Sequence, residues 1–483
     1  MQLNGRMNPV NSVLAFARQN PGDLALASAD FVMSYGDLAA SMVRFAARFR
    51  QLGIGKGSIV AVSAQPAIEA VVILALLHEG AVSLSGTPDV LRAYTQNIDL
   101  VITDGPIANA GSLRLVTIDS DFLAGLGGVP TTNAPVALAG HDLCRIVFSS
   151  GTTGTPKGVP FTVGTLLART TAARTNWMPT DPFMCLLGLD TVSGIQTFYW
   201  SLFHAETYFI SGSGERSRLV IERYGVRSIK TSPARLADLV DAVQAHPGAL
   251  ALETVQVAGS LLTPSLGERT ARVLGCPPIY LYGSTEVGTV ASGPFDAQRP
   301  HVVGRLVADV DFELVDADNR PITDLATEGT IRYRSAVMTS RYWLAESDAA
   351  SAFQHGWFYP GDVGSISAAG ELQISGRTID VVNANGAKFN LAELDIWLSE
   401  LRIFSDAASF SFANDAGVAV GIGFVAKLHV GPEIVLEQLG ARFPNLVVTA
   451  LLKLDEIPRN QLGKVDRRSL VHLLETAAPG SRV

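Results

Sequence analysis

RIVFSSGTTGTPKGVPFT, residues 145–162, is the stretch that decides the class of fold. Its first six residues, built on the apolar run Ile146–Val147–Phe148, read as a strand and run directly into a glycine-rich loop. Gly151, Gly154 and Gly158 allow backbone amides to turn toward an anion. Ser149, Ser150, Thr152 and Thr153 add hydroxyl donors, and Lys157 adds a positive charge. Many donors at close range with little side-chain bulk is what a polyphosphate requires. The loop is not a Walker loop, because Pro156 stands where that pattern needs its second glycine.

Outward from this loop the same rhythm of short strands and helices recurs. Upstream, SYGDLAASMVRFAARFRQLG (34–53) predicts an amphipathic helix. Leu38, Met42, Phe45, Phe49 and Leu52 recur at three- and four-residue steps, Ser34 is the N-cap, Asp37 supplies an acidic first turn, and Gly53 ends the helix. IVAVSA (59–64), LVIT (100–103) and LRLVTI (113–118) read as strands, with a helix over 67–78. Downstream, SIKTSP (228–233), TVQVAG (254–259) and IYLYGS (279–284) read as strands. The last two end in small residues, where open α/β sheets hold their ligands. The expected fold is α/β: stacked, parallel-rich sheets covered by helices.

Between 300 and 375 the texture changes to short strands and turns (DFELVD, GTIRYRS, GWFYPGD, GELQIS), which predicts a small β-rich lobe. After Gly376–Arg377 a last α+β unit is expected. It holds the strand-like VVNANG, a helix near 391–400, the apolar strand VAVGIGFVAKL, a helix near 433–442 and a polar loop at 458–468. The chain therefore divides into an N-terminal core, 1–377, and a C-terminal domain, 378–483.

A hydrophobic content of 47%, a charged content of 17% and 45 glycines fit a large α/β enzyme rather than a disordered chain. The formal net charge of −8 argues against nucleic acid as a partner, and no basic run favours an anionic membrane. Cys144, Cys185 and Cys276 form no CxxC pair and read as small buried residues in a reducing cytoplasm. The opening residues lack the apolar run of a signal peptide, and Ala70–Leu77 is too short to span a bilayer, so no membrane insertion is expected. A monomer or homodimer is expected.

Five motifs carry a family resemblance. SSGTTGTPKG (149–158) resembles the phosphate-binding signature of the adenylate-forming superfamily, which includes acyl-CoA synthetases, peptide-synthetase adenylation domains and beetle luciferases. In the family order there follow YGSTEVG (282–288), YPGDVG (359–364) with Pro360 for the usual threonine, GRTIDVVNANG (376–386) and PRNQLGKVDRRSL (458–470). SYGDLA (34–39) extends the likeness toward the N-terminus, and a free-standing acyl- or aryl-CoA ligase is the nearest type.

The resemblance implies ATP, magnesium and coenzyme A, or the phosphopantetheine of a carrier protein acting in trans. It implies that Ser149 through Gly154 and Lys157 hold phosphates, that Glu286 binds the magnesium ion, and that Thr285 reaches the α-phosphate. Tyr282 would stack on adenine beside the backbone of Gly259 and Ser260, with Gly283 and Ser284 completing that wall. Asp362 would accept from the ribose hydroxyls, Arg377 would support ribose or phosphate, and Lys464 would be the catalytic lysine. The C-terminal domain would rotate about Thr378–Val381, where Ile379 occupies the family's usual Asp or Lys position and Asp380 follows. Gly386 would line the thiol tunnel.

The acid pocket is expected around LLGLDTVSGIQTFYWSLFHAET (186–207), with Asp190, Thr191, Gly194 and Gly259 as lining. Asp190 or Thr191 stands where many relatives of this type carry histidine. Asp190 either faces a polar or amino group of the substrate or caps the next helix. Phe198, Tyr199 and Trp200 read as core. The implied reaction joins a carboxylic acid to AMP and then passes the acyl group to a thiol. The rivals are an acid- or amino-acid-adenylating enzyme that loads a separate carrier protein, and an inactive nucleotide-binding homologue.

Overall fold

Ser34 and Asp37 begin the first long helix as expected. The Ser34 hydroxyl accepts from the Asp37 amide at 3.1 Å, and the Asp37 carboxylate accepts from the Ser34 amide at 3.4 Å, so two orphan donors are satisfied reciprocally. The helix runs Tyr35–Gln51 and buries Leu38, Met42, Phe45 and Phe49, while Gly53 takes the left-handed turn beyond its end. The helix Pro66–His78 is buried continuously from Glu69 to His78, because it is apolar on every side and lies inside the domain.

These elements belong to a computed structural model. It describes residues 8–86, 88–107, 111–128, 134–149, 156–177, 180–248, 250–344, 350–377, 381–384, 387–401, 403–414, 417–426, 432–443, 446–459 and 464–476. Ser150, Gly151, Thr152, Thr153 and Gly154 lie outside the described residues, as do Thr378, Ile379, Asp380 and Gly386.

Among the described residues the N-terminal domain holds two large sheets. The first runs Leu115–Thr117, Leu100–Thr103, Ile59–Ser63, Val82–Ser85, Leu143–Ser149, Lys157–Thr162. It is parallel except for its last pair, which turns back through the glycine-rich loop. The second begins with four parallel strands, Phe183–Cys185, Ser228–Thr231, Thr254–Ala258 and Pro278–Ser284. It continues antiparallel through Gly288–Pro294, Val302–Leu306, Glu371–Arg377, Asp362–Ile366 and Gly329–Arg334. The β-rich lobe expected from 300 to 375 is thus a continuation of this sheet and not a sheet of its own. The pairing of Ala291 with Leu306 and of Ser292 with Arg305 joins it to the parallel half.

One large buried cluster runs between these sheets and their helices, and a smaller one, with Ala61, Leu84, Val101 and Ile146, covers the other face of the first sheet. Cys144, Cys185 and Cys276 are all buried, and Phe198 and Tyr199 lie in the core as read. Trp200 stacks on His204 at 3.7 Å between ring centroids.

The C-terminal domain is α+β and has its own cores. Strands Phe404–Asn414, Gly417–Ala426 and Val448–Lys453 pack with helices Leu391–Glu400 and Arg467–Thr476 around two clusters that draw on residues from Val382 onward. The helix Leu391–Glu400 meets both the strand Glu371–Arg377 and the helix Pro264–Leu274 of the larger domain. The side chain of its N-cap, Asn390, donates to the Ser375 carbonyl. The small domain therefore sits over the ends of the second sheet. No helix among the described residues is long and apolar enough to cross a membrane.

Candidate active site

Two strand ends and one hairpin shape the cleft. The strand Thr254–Ala258 stops at Gly259, whose φ of +98° only glycine adopts without strain, and Ser260 follows. The strand Pro278–Ser284 folds straight back into Gly288–Pro294. At Gly283 a Cβ would stand 2.1 Å from the Gly288 carbonyl oxygen, so this position must be bare. The Ser284 hydroxyl accepts from the Val287 amide at 3.2 Å and holds Thr285 and Glu286 at the tip.

A buried arginine that the sequence reading passed over fixes that tip from beneath. Arg169, on the helix Val163–Trp177, donates to the Thr285 carbonyl at 2.7 Å and more weakly to that of Glu286 at 3.5 Å. Its guanidinium lies over Phe161, 5.0 Å from the ring centroid. Burial draws its pKa down to about 10 and Glu286 opposes the shift, so the group stays charged. A lone basic residue in a helix reads from sequence as a solvated side chain, which is why it gave no signal.

The Glu286 side chain is 5% exposed, and its Oε1 accepts from the Tyr342 hydroxyl at 2.9 Å. The Lys157 ammonium stands 5.2 Å from the Tyr342 ring centroid. Ser149 donates to the Lys157 carbonyl at 3.4 Å, tying the two ends of the glycine-rich loop. Among the described residues no group of three or more His, Cys, Asp or Glu could hold a metal by itself. One hard carboxylate beside a phosphate-type site suits magnesium, which takes few protein ligands and completes its shell with phosphate oxygens and water.

On the opposite wall, Asp362 and Arg377 are cross-strand partners, and Arg377 Nε lies 3.2 Å from Asp362 Oδ1. The Tyr282 hydroxyl donates to Asp362 Oδ2 at 2.5 Å, and its ring meets Tyr333 edge-on at 6.2 Å. Burial, and after it the Asp362 charge, pushes the Tyr282 phenol far up, so it stays a donor.

Lys464 arrives from the C-terminal domain. Burial and then Arg377 pull its pKa down to about 8, while Asp362 and Glu286 pull it up. Its charged neighbours are therefore the same side chains that line the nucleotide-type walls. All of these groups face one continuous cleft of about 3170 Å³.

The acid end differs from expectation in detail. Thr191, not Asp190, caps the helix Val192–His204: its hydroxyl accepts from the Gly194 amide at 3.0 Å and donates to the Gly188 carbonyl at 2.9 Å. Gly194 does not line the cleft. It packs on the preceding loop, where a Cβ would lie 2.0 Å from the Gly188 oxygen. Asp190 lines the cleft, and burial raises its pKa against the pull of Arg145 and Arg235.

Arg145 itself is fully buried. Its Nη2 donates to the Ser85 hydroxyl and the Leu189 carbonyl, both at 2.7 Å, and lies 3.9 Å from Glu69, to which Ser85 also donates. Among the described residues Arg145 Nε and Nη1 have no hydrogen-bond partner.

Lys157, Arg169, Arg377 and Lys464 gathered with Glu286 and Asp362, at the ends of parallel strands, define an enzyme cleft suited to a polyanion with a bound cation. A model of the AMP-binding enzyme family matches residues 14–343, and the chain belongs to that family. It is 26% identical over 486 residues to 4-coumarate–CoA ligase-like 9 of Oryza sativa subsp. japonica, covering 90% of this chain and 87% of that one. It is 25% identical to enterobactin synthase component F of Escherichia coli (strain K12), covering 96% of this chain but only 39% of that larger protein. Among solved structures, O-succinylbenzoate coenzyme A synthetase from Bacillus subtilis, in complex with AMP, superposes with a TM-score of 0.83 over 95% of this chain and 98% of that one. The two are 19% identical, a likeness of fold.

Proposed function

We propose that this enzyme is an AMP-forming acid–thiol ligase. It joins a carboxylic acid to ATP, giving acyl-AMP and pyrophosphate, and then passes the acyl group to a pantetheine thiol, releasing AMP. Coenzyme A is the acceptor we favour, because the relatives that this chain covers nearly end to end include CoA ligases. The carrier-loading alternative draws on enterobactin synthase component F, of which this chain matches a minor part. We assign the enzyme to the cytoplasm.

The observation that carries the reading is that Lys464, from the small domain, lines the same cleft as Asp362, Arg377 and Glu286 of the large one, near enough to feel their charges. A carboxylate approaching a triphosphate meets repulsion, and catalysis must neutralise the phosphates and align the attack. Lys464 bridges the incoming carboxylate and the α-phosphate as negative charge builds. Asp362 keeps a spare lone pair on each oxygen beyond those used by Tyr282 and Arg377, and these accept from the ribose hydroxyls. Arg169 aims the Thr285 tip at the α-phosphate, and Ser149 through Gly154 with Lys157 cradle the outer phosphates. Glu286 would hold magnesium, which when bound offsets phosphate charge. The thiol step needs Lys464 withdrawn and Gly386 brought to the tunnel, by rotation of residues 378–483 about Thr378–Val381.

The test is pyrophosphate release from ATP with fatty, aryl and amino acids side by side, followed by coenzyme A and holo carrier proteins as competing acceptors. Acid-dependent release with thioester formation on coenzyme A is expected. Failure of every class of acid to release pyrophosphate refutes the reading.

A further inference from the structure

One cation at the acid end has no part in adenylation. Lys230 lies in the strand Ser228–Thr231, between Ile229 and Thr231, which are wholly buried on one face of the sheet. The pleat turns Lys230 to the other face, beside its register partners Cys185 and Gln256. There it lines the cleft together with Gln196 and Asp190.

Among the described residues no acceptor takes a hydrogen bond from its ammonium, and no carboxylate pairs with it. The groups that act on it are the Cys185 thiol and the guanidinium of Arg169, a like charge, and burial lowers its pKa. Of the neighbouring acids, Asp190 feels the charges of Arg145 and Arg235, and Glu286 accepts from Tyr342 and feels the charge of Arg169. Lys230 is half-buried in the wall of the cleft, and a cation placed there without a counter-ion is left for a bound anion to pair. The nucleotide does not supply the counter-ion. Lys230 stands two strands from Pro278–Ser284, about 10 Å at the usual spacing, on the side away from Asp362 and Arg377.

We propose that Lys230 recognises a second carboxylate on the acid substrate, so that the enzyme activates one carboxyl of a dicarboxylic acid and anchors the other at the floor of the cleft. This rests on the adenylation reading above and names its substrate class. Gln196, 8% exposed and also lining the cleft, offers an amide donor beside the same anion.

Wild-type enzyme and the variants K230M and K230Q are assayed by pyrophosphate release with matched pairs: pentanedioate, hexanedioate and phthalate, each against its monomethyl ester. In wild type the best diacid should exceed its half-ester by about 10- to 100-fold in kcat/KM, the range expected for one charge-assisted contact. Both variants should bring that ratio close to one, through the kinetic constants for the acid and not the KM for ATP. Equal use of diacid and half-ester by wild type overturns the proposal. So does an unchanged ratio in both variants, or a loss that falls on the KM for ATP, which would make Lys230 a phosphate ligand. If half-esters and diacids alike release no pyrophosphate, while other acids do, the adenylation reading stands and this proposal fails. If no acid does, both fail.

Discussion

The two ends of the cleft treat charge in opposite ways. At the nucleotide end, each ionised side chain meets another polar group across the gap: Tyr282 and Arg377 on Asp362, Tyr342 on Glu286, and Arg169 on the carbonyls of residues 285 and 286. These pairs lie on rigid strand ends and aim spare lone pairs or protons into the cleft. At the acid end the charges are sunk deeper. Arg145 is fully buried beside Glu69, and among the described residues two of its nitrogens have no partner and no carboxylate pairs with Lys230. The difference teaches that the first end is pre-organised for a ligand whose chemistry never changes. The second stores unspent polarity that a particular substrate must complete.

Substitutions should separate the two ends, and the largest effect is expected at Lys464. Lys464→Ala should lower acid-dependent pyrophosphate release by about 100- to 1000-fold, the usual loss for one group that meets developing charge. Thioester formation from synthetic acyl-AMP should be nearly spared, and equal damage to both half-reactions would remove the lysine from the adenylation step.

Next comes Arg145→Met, which should act on the fold. It strands Glu69 and Asp190 without their cation, and breaking a buried pair costs about 3–5 kcal/mol. Melting of purified protein should shift down by several degrees, and adding Glu69→Gln should recover part of the loss. An unchanged melting curve would mean that the buried arginine contributes no net stability.

Tyr282→Phe should fold normally and raise the KM for ATP by about 10-fold, the value of one hydrogen bond to a charged group. Isothermal binding of ATP measures this directly, and unaltered affinity would show that Asp362 does not depend on Tyr282 for its orientation.

The smallest effect is on pH. Lys464 is held at about 8 in the closed form, against about 10.4 for a free lysine. If the small domain rotates as proposed, the form with Lys464 in the cleft binds fewer protons between these values than a form with it withdrawn, so docking of the small domain without nucleotide should strengthen as pH rises through that window and be weakest below 8. Adenylation needs the ammonium, so kcat/KM for ATP should decline above about pH 8. The limb in kcat should lie higher, because bound phosphates restore the charge. Residual activity of Lys464→Ala should lack this limb.

Much of the nucleotide end was legible because its residues come in short contiguous motifs. YGSTEVG, YPGDVG and the lysine loop each place a reactive side chain in a turn whose shape is set by its neighbours, and Gly283 shows how tightly. The helix at 35–51 was legible for the same local reason, through Ser34, Asp37 and the spacing of its apolar face. Arg169, Tyr342, Arg145 and Lys230 were not legible. Each stands alone in an ordinary helix, turn or strand, and its meaning depends on what crosses the cleft from a distant segment. The β-rich stretch after residue 300 was legible as strands, but not its attachment, because strand texture does not reveal an edge partner; the pairing of Ala291 with Leu306 does.

By itself, then, the sequence determined the α/β alternation, the glycine-rich loop, the strand ends and the family of the chain, since all of these follow from periodicity and from residues close together along the backbone. Only the tertiary structure decided that Thr191 rather than Asp190 caps its helix, that Gly194 is a packing residue, and that Lys230 faces the cleft without a partner. Those outcomes turn on burial and on pairwise distances between segments remote in the chain, and no local pattern encodes them.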